Sequence, residues 1–489
     1  MQALIIVDNT KHWPLHFPGV DVVDARTYVT SQEYSGDRGM LVFNLCRSYR
    51  YQSLGYYVSL IAAARGHRPV PAVTTIQDMK SVTLLRYASE DLEEMMQHCL
   101  RPLQSKEFTL SIYFGQNMAR RYDKLCKALM NAFHVPLMRA HFTFEEQWEL
   151  QRIAPIGAKD IPDEHWEFVL EAAKVYFSRP RFAVRKKPTA RYDIAILHNP
   201  EEKMPPSNER ALRKFERAAK ALGMEPEFIE KEDYGRLAEF DALFIRETTQ
   251  VNHHTFRFAQ RAAADGLVVI DDPESILRCS NKVYLAELLG KNNIRTPKTV
   301  IVHRDNYEDL HDLIGLPCIL KQPDSFFSQG VIKVNDRETL LSECERLLDR
   351  SELIIAQEFM PTTFDWRVGV LNREPLYVCR YHMASKHWQI QKTEQSGNIT
   401  YGEHDCVPIE ATPSAVIKTA VKAANLIGDG LYGVDLKEHR HQVSVIEVND
   451  NPSIDAGVED SLVKDELYNK IMGVFLSRIE ALKEPGTHK

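Results

Sequence analysis

Along the first 180 residues, short apolar runs alternate with stretches whose apolar positions recur every three to four residues. Runs at 4–7, 40–45 and 110–114 are predicted as strands, whereas 51–65, 119–133 and 164–177 carry the helical period. Such alternation predicts α/β layering. The opening Met1-Gln-Ala-Leu-Ile-Ile-Val-Asp8 has no basic residue ahead of its apolar run and is closed by an Asp, so it reads as a first strand rather than a signal peptide. Cytoplasmic residence is the expectation.

Between 178 and 191 the pattern breaks into a proline-containing basic stretch with little apolar period, which reads as a solvated linker, with a polyanion-binding arm as the alternative. After it, runs at 193–197, 242–245 and 267–270 with a periodic helix at 209–222 predict a small Rossmann-like unit. Its first turn, His198-Asn-Pro-Glu-Glu-Lys203, lacks the G-x-G-x-x-G that cradles a dinucleotide, which excludes a dehydrogenase. Beyond it come a helix at 282–289 and strands at 318–321, 330–334, 353–357, 366–370 and 376–380. Residues 433–436 and 443–448, joined by a short polar turn, predict an antiparallel hairpin.

A chain of 489 residues is too long for one ordinary core, and three compact units are expected. The divisions are 1–180, an α/β domain of unassigned role; 181–190, the linker; 191–276, the Rossmann-like domain; and 277–485, the domain carrying the chemistry. Hydrophobic and charged contents of 44% and 26% are those of a soluble globular protein, with no window that predicts a membrane span. The net charge of -7 argues against general nucleic-acid binding, which needs clustered Lys and Arg. Eight dispersed cysteines without a C-x-x-C pair predict buried free thiols. In the first domain Arg47, Tyr49, Arg50 and Tyr51 follow a predicted strand, where α/β proteins often bind ligands; an ordinary helix-start surface explains them equally well.

The hairpin is the sharpest feature. Asp435 lies on one arm, and Glu447 and Asn449, two residues apart on the other, share a face, so three oxygen ligands can converge as an incomplete cage of the kind Mg²⁺ uses beside substrate phosphates. Solvated acids on an outer face are the alternative. Upstream, Lys321 ends the apolar run Pro317-Cys-Ile-Leu-Lys321, a setting better explained by an anion than by core packing. Asp324-Ser-Phe-Phe-Ser-Gln-Gly330 is a small-residue turn whose N–H groups could cover phosphates. A strand then runs into Gln357 and Glu358, and Asp365 and Arg367 follow at alternate positions.

These motifs, in order Ser280-Asn-Lys282, Ile319-Leu-Lys321, Ser328-Gln-Gly330, Gln357-Glu-Phe359, Phe364-Asp-Trp-Arg367, Gly433-Val-Asp435 and Ile446-Glu-Val-Asn-Asp-Asn-Pro-Ser453, make residues 191–480 resemble the ATP-grasp superfamily. Within it the chain is most similar to RimK-type ligases that add glutamate to a ribosomal protein's C-terminus. Residues 1–180 resemble the extra amino-terminal domain of some RimK-like proteins. The resemblance implies an α/β chain: an amino-terminal α/β domain, a Rossmann-like pre-ATP-grasp domain and two α+β ATP-grasp subdomains.

It also implies the site. Lys282 and Lys321 would hold ATP phosphates beneath the loop of Ser328, Gln329 and Gly330. Gln357, Glu358 and Phe359 would line the adenine hinge, Asp365 would hold ribose, and Asn398 would complete the nucleotide set. Asp435, Glu447 and Asn449 would bind Mg²⁺, or Mn²⁺ in its place. Arg367 and Arg380 would serve the γ-phosphate and acyl-phosphate, as fixed guanidinium donors suit spread phosphoryl charge. The expected reaction is ATP-dependent joining of a carboxylate to an amine, releasing ADP, with amino acids, peptides or a protein C-terminus as substrates and a homo-oligomer as a possible assembly.

Two departures from the family pattern stand out. Phe326 and Phe327 replace smaller loop residues, and Gln395-Ser-Gly-Asn398 lacks an Arg for which Lys386 or Lys392 could substitute. His382, His387 and His404 lie in or beside the stretch 381–403, which could shape the acceptor site; scattered polar loop residues explain it equally well. The competing readings are a ligase of non-amino-acid metabolites or thiols, and an ATP-binding regulatory or scaffolding protein without turnover, against which the retained metal ligands and arginines argue.

Overall fold

Strand β1 (Ala3–Val7) is buried along its whole length, as a strand covered on both faces by helices must be. The computed structural model describes residues 3–13, 17, 20–35, 40–79, 92–178, 191–324, 330–384, 389, 391–393 and 399–483. They fall into two compact units. The first comprises 1–193 with 232–241 and 480–489, and the second 194–231 with 242–479.

In the first unit, β1 lies between β2 (Val20–Asp24) and β3 (Leu41–Asn44), and β3 pairs with β4 (Arg68–Val70), all in parallel. Tyr28, Val58 and Ala62 pack one face, and Val169, Ala173 and Phe177 of the helix Trp166–Phe177 pack the other. A second, antiparallel sheet runs β5 (Glu107–Tyr113), β6 (Leu137–Phe144), β7 (Trp148–Pro155) and carries its own core with the helices Glu93–Leu100 and Asp123–Phe133. The sequence reading did not anticipate β6 and β7, although Trp148, Leu150 and Ile153 bury one face of β7; a bulge at His141/Phe142 interrupts the pairing. Of the cluster after β3, Tyr49 is a core residue whose hydroxyl donates to the Asn44 carbonyl at 2.6 Å, while Arg47, Arg50 and Tyr51 are exposed. The basic segment 179–190 lies outside the described residues.

The second unit begins with a parallel sheet in the order β11 (Val268–Ile270), β10 (Ala242–Ile245), β8 (Tyr192–Leu197), β9 (Met224–Ile229). Two antiparallel sheets follow. One orders β12 (Thr299–Val302), β15 (Ile354–Glu358), β13 (Cys318–Lys321) and β14 (Val331–Val334). The other orders β20 (His404–Cys406), β17 (Glu374–His382), β16 (Phe364–Leu371), β21 (Leu431–His439) and β22 (Gln442–Asp450), and the short pair β18 (Gln391–Thr393) and β19 (Ile399–Tyr401) stands apart. Val368, Val434 and Val448 turn one face of the five-stranded sheet onto the helix Ser414–Ile427, which leaves the opposite face for chemistry. The chain is thus α/β, with α+β layering in its carboxy-terminal part.

The two parallel sheets are built alike. In both, the first strand lies between the second and the third, with the fourth outside the third. The helix after the third strand is Leu54–Ala64 in one and His254–Ala264 in the other, offset by 200 residues. Ala62, Ala63, Ala64 and Gly66 recur as Ala262, Ala263, Ala264 and Gly266, and the glycines adopt φ of 72° and 76°. His67 N and Leu267 N donate to Ala62 and Ala262 carbonyls, both at 2.9 Å. The chain therefore contains the same small α/β layout twice.

Candidate active site

Side chains on a strand alternate between faces, and residues directly opposite on neighbouring antiparallel strands share one. In the five-stranded sheet Arg367 of β16 stands opposite Asp435 of β21, and Asp435 stands opposite Glu447 of β22. Asp365, two residues before Arg367, and Asn449, two after Glu447, extend the same face. All five line a cleft of about 670 Å³ together with Lys282 and Lys321.

The charges interlock. Arg367 donates through Nε and Nη2 to the two oxygens of Asp435, both at 2.7 Å, and Asn449 Nδ2 donates to Asp435 Oδ2 at 3.2 Å. Lys282, at the start of the helix Lys282–Lys291, reaches Glu447 Oε1 at 3.2 Å. Burial alone would raise the Glu447 carboxyl, but Lys282, Lys321 and Arg367 outweigh it and hold the group below its ordinary range. Burial pushes the Lys321 ammonium down to about 8 against the pull of Glu447, with Lys282 and Lys437 adding repulsion. Burial also acts against the Arg367 cation, yet the Asp435 pair more than compensates and drives its pKa up.

Lys321 donates to Gln357 Oε1 at 2.8 Å across β13 and β15. Glu358 donates its backbone N–H to the Lys298 carbonyl at 2.8 Å, and its carboxylate is exposed at the cleft. The Phe359 ring also lines the cleft and is capped by the Lys333 ammonium at 3.7 Å from its centre. Asp365 accepts from Thr362 at 2.8 Å and from Lys437 at 2.6 Å. Gly330 closes the loop after β13 at φ 74°, a left-handed conformation that suits Gly. Ser328, Gln329 and Asn398 lie outside the described residues, as do Phe326, Phe327, Lys386 and His387.

Arg380 requires a correction. It stands opposite Trp366, a core residue, so it projects from the other face of the sheet from Arg367. There it pairs with Asp405 and lies 5.4 Å from the Phe364 ring centre. A one-residue change in parity decides this, and the site face of β17 presents Tyr381 instead, with the Arg367 guanidinium 5.1 Å from its ring centre. His382 also bonds Asp405, at 2.8 Å, and His404 is exposed at the cleft.

Three residues escaped the sequence reading. Lys437 follows Asp435 by two positions, so the parity that selected Asp435 also points to it. Thr249, after β10, lines the cleft and donates to Asp450 Oδ2 at 2.6 Å. Arg246 ends the apolar strand Ala242–Ile245, the same signal that singled out Lys321. It is fully buried and donates to Asn451 Oδ1 at 2.7 Å and the Pro452 carbonyl at 3.0 Å, anchoring the turn that follows Asn449. Burial lowers its pKa to about 10.

The donor set of Asp435, Glu447 and Asn449 is all oxygen, and each carboxylate is held by a cationic side chain. Such a set fits a hard divalent ion completed by phosphate and water. No helix among the described residues is long and apolar enough to cross a membrane.

Residues 25–172 match the family model of the RimK-like ATPgrasp N-terminal domain, and residues 279–471 match that of the RimK-like ATP-grasp domain. A probable alpha-L-glutamate ligase of Maridesulfovibrio salexigens is 26% identical over 258 residues, which is 52% of this chain and 81% of that protein. Probable alpha-L-glutamate ligase 1 of Hahella chejuensis is 27% identical over 258 residues, 51% of this chain and 80% of that one. Among solved structures, the RimK domain protein ATP-grasp of Sphaerobacter thermophilus aligns with a TM-score of 0.44 at 16% identity, over 58% of this chain and 99% of that one.

Proposed function

Because the chain is a RimK-like ATP-grasp protein with an amino-terminal domain of the same kind, and hence an ADP-forming carboxylate–amine ligase, we propose that it joins an amino acid, glutamate foremost, to an amine or peptide acceptor. The observation that carries the site assignment is the convergence of Asp435 and Glu447, opposite each other on β21 and β22, with Lys282, Lys321 and Arg367 in one cleft. The names of the curated relatives support glutamate as the first substrate to try.

In this reading Lys282 and Lys321 hold the phosphates of ATP, and Asp365 with the Lys437 beside it meets the ribose. Glu358 and Phe359 border the adenine. Asp435, Glu447 and Asn449 hold Mg²⁺, which when bound supplies charge neutralisation for phosphoryl transfer. The chain's own task is to bring two anions together, the substrate carboxylate and the terminal phosphate. Lys321 and Arg367, fixed in a largely buried setting, offset that repulsion without reorganising. The phosphorylated carboxylate is then open to an amine, and phosphate leaves as the amide forms. A serine or cysteine nucleophile is not needed.

The test is ADP release by the full chain with MgATP over a panel of amino acids, short peptides and polyamines, with product masses read in parallel. A product equal to two substrates less one water, absent with Glu447→Gln, supports the reading. ATP binding without ADP release or a new mass for any acceptor, protein C-termini included, would overturn it in favour of an ATP-binding regulatory protein.

A further inference from the structure

At the carboxyl end of β10, Glu247, His253 and His254 bring three potential ligand atoms within 4.8 Å of one another. Glu247 is buried, at 3% exposure, and His254 Nε2 lies 3.0 Å from its Oε2. The two histidines open the helix His254–Ala264, His253 as its N-cap residue.

The duplicated layout supplies an internal control. Leu45 N bonds the Ile6 carbonyl as Arg246 N bonds that of Leu197, which makes Cys46 the counterpart of Glu247. By the 200-residue offset, Ser53 and Leu54 are the counterparts of His253 and His254. Ser53 caps its helix, its side chain accepting from Tyr56 N at 3.3 Å. His253 makes no such cap bond. The fold therefore requires neither a carboxylate nor imidazoles at these positions. The second layout lacks the stabilising cap bond of the first and buries an acid where the first has a thiol.

We propose that Glu247, His253 and His254 form a binding site for a divalent transition metal, Zn²⁺ foremost, with a fourth position left for water. Two imidazoles and one carboxylate are a ligand set that Zn²⁺ takes, and ligand atoms around tetrahedral Zn²⁺ lie about 3.3 Å apart, so modest side-chain rotation closes the set. Thr255 Oγ1, 3.1 Å from His253 Nδ1, fixes the orientation of the His253 ring. The helix N-terminus opposes a cation, and the Glu247 charge offsets it. Thr248 and Thr249 follow Glu247 directly and line the cleft, so an ion here would pin that part of the cleft wall.

The full chain, stripped with a chelator, is dialysed against Zn²⁺ or Co²⁺ in excess Mg²⁺. We expect the wild type to retain one more equivalent of Zn²⁺ than His253→Ser or His254→Ala, and its Co²⁺ form to show the strong visible absorption of a low-coordinate ion. His253→Ser restores the cap residue of the first copy. Its metal-free form should melt at or above the metal-free wild type, so its loss of metal is not a loss of fold. Equal metal uptake by wild type and His253→Ser, or no uptake by either, would overturn the site. The readout is metal content, so it stands or falls independently of ligase activity.

Discussion

Arg367 and Asp435 face each other on neighbouring antiparallel strands and close a two-point ion pair, both N–H···O distances being 2.7 Å. The carboxylate we propose to hold Mg²⁺ and the guanidinium we propose to face phosphate thus neutralise each other. The side chains are 16% and 19% exposed, so removing one partner strands a largely desolvated charge. We expect a cycle of Arg367→Gln, Asp435→Asn and the double variant, followed by urea unfolding, to give a coupling of about 1–3 kcal/mol. Additivity within about 0.5 kcal/mol would show that the pair contributes no net stability.

Lys321 titrates at about 8 in the folded protein, below its ordinary 10.5, because burial disfavours the cation. Between these values the unfolded chain holds the extra proton, so this residue's contribution to stability rises with pH across the window and is constant below it. Nucleotide phosphates beside Lys321 would favour the ammonium again. Nucleotide binding at pH 8 should therefore take up about half a proton, and at pH 6 none from this group. Calorimetry in buffers of different ionisation enthalpy measures the uptake, and Lys321→Met should abolish it.

The opposite faces taken by Arg367 and Arg380 separate their roles. We expect Arg380→Gln to change kcat for ADP formation by less than about threefold, and Arg367→Gln to lower it by about a hundredfold or more. Steady-state assays with circular dichroism to verify folding decide the matter. Equal losses would return Arg380 to the reaction by a route this register does not provide.

Arg246 bridges the end of β10 to Asn451 and Pro452 from a fully buried position. Arg246→Met keeps the apolar stem and leaves those acceptors, with Ser207, short of a donor. A loss of about 2–4 kcal/mol is expected, read as a lower urea midpoint at unchanged slope. A variant as stable as the wild type would mean water replaces the guanidinium.

Much of this protein is written in local patterns. Strands such as Ala3–Val7 and Cys318–Lys321 announce themselves by continuous apolar runs, because both faces are covered. Within the hairpin, two-residue periodicity sufficed to group Glu447 with Asn449, since parity along one strand is a local property. Parity between strands is not local. Arg380 and Tyr381 are equally plausible on paper, and only the pairing of β17 with β16 sends one behind the sheet and the other into the cleft. Arg246 shows the same limit, as its acceptors Asn451 and Pro452 lie 205 and 206 residues away in sequence. The repeated layout of β1–β4 in β8–β11 was equally hidden, because Ala62 to Gly66 and Ala262 to Gly266 are among the few letters it shares. Sequence determined many of the elements, though not β6 and β7, and the chemical inventory, through short-range periodicity and residue type. Tertiary structure alone decided which charges meet, because register and long-range packing set the distances on which electrostatics depends.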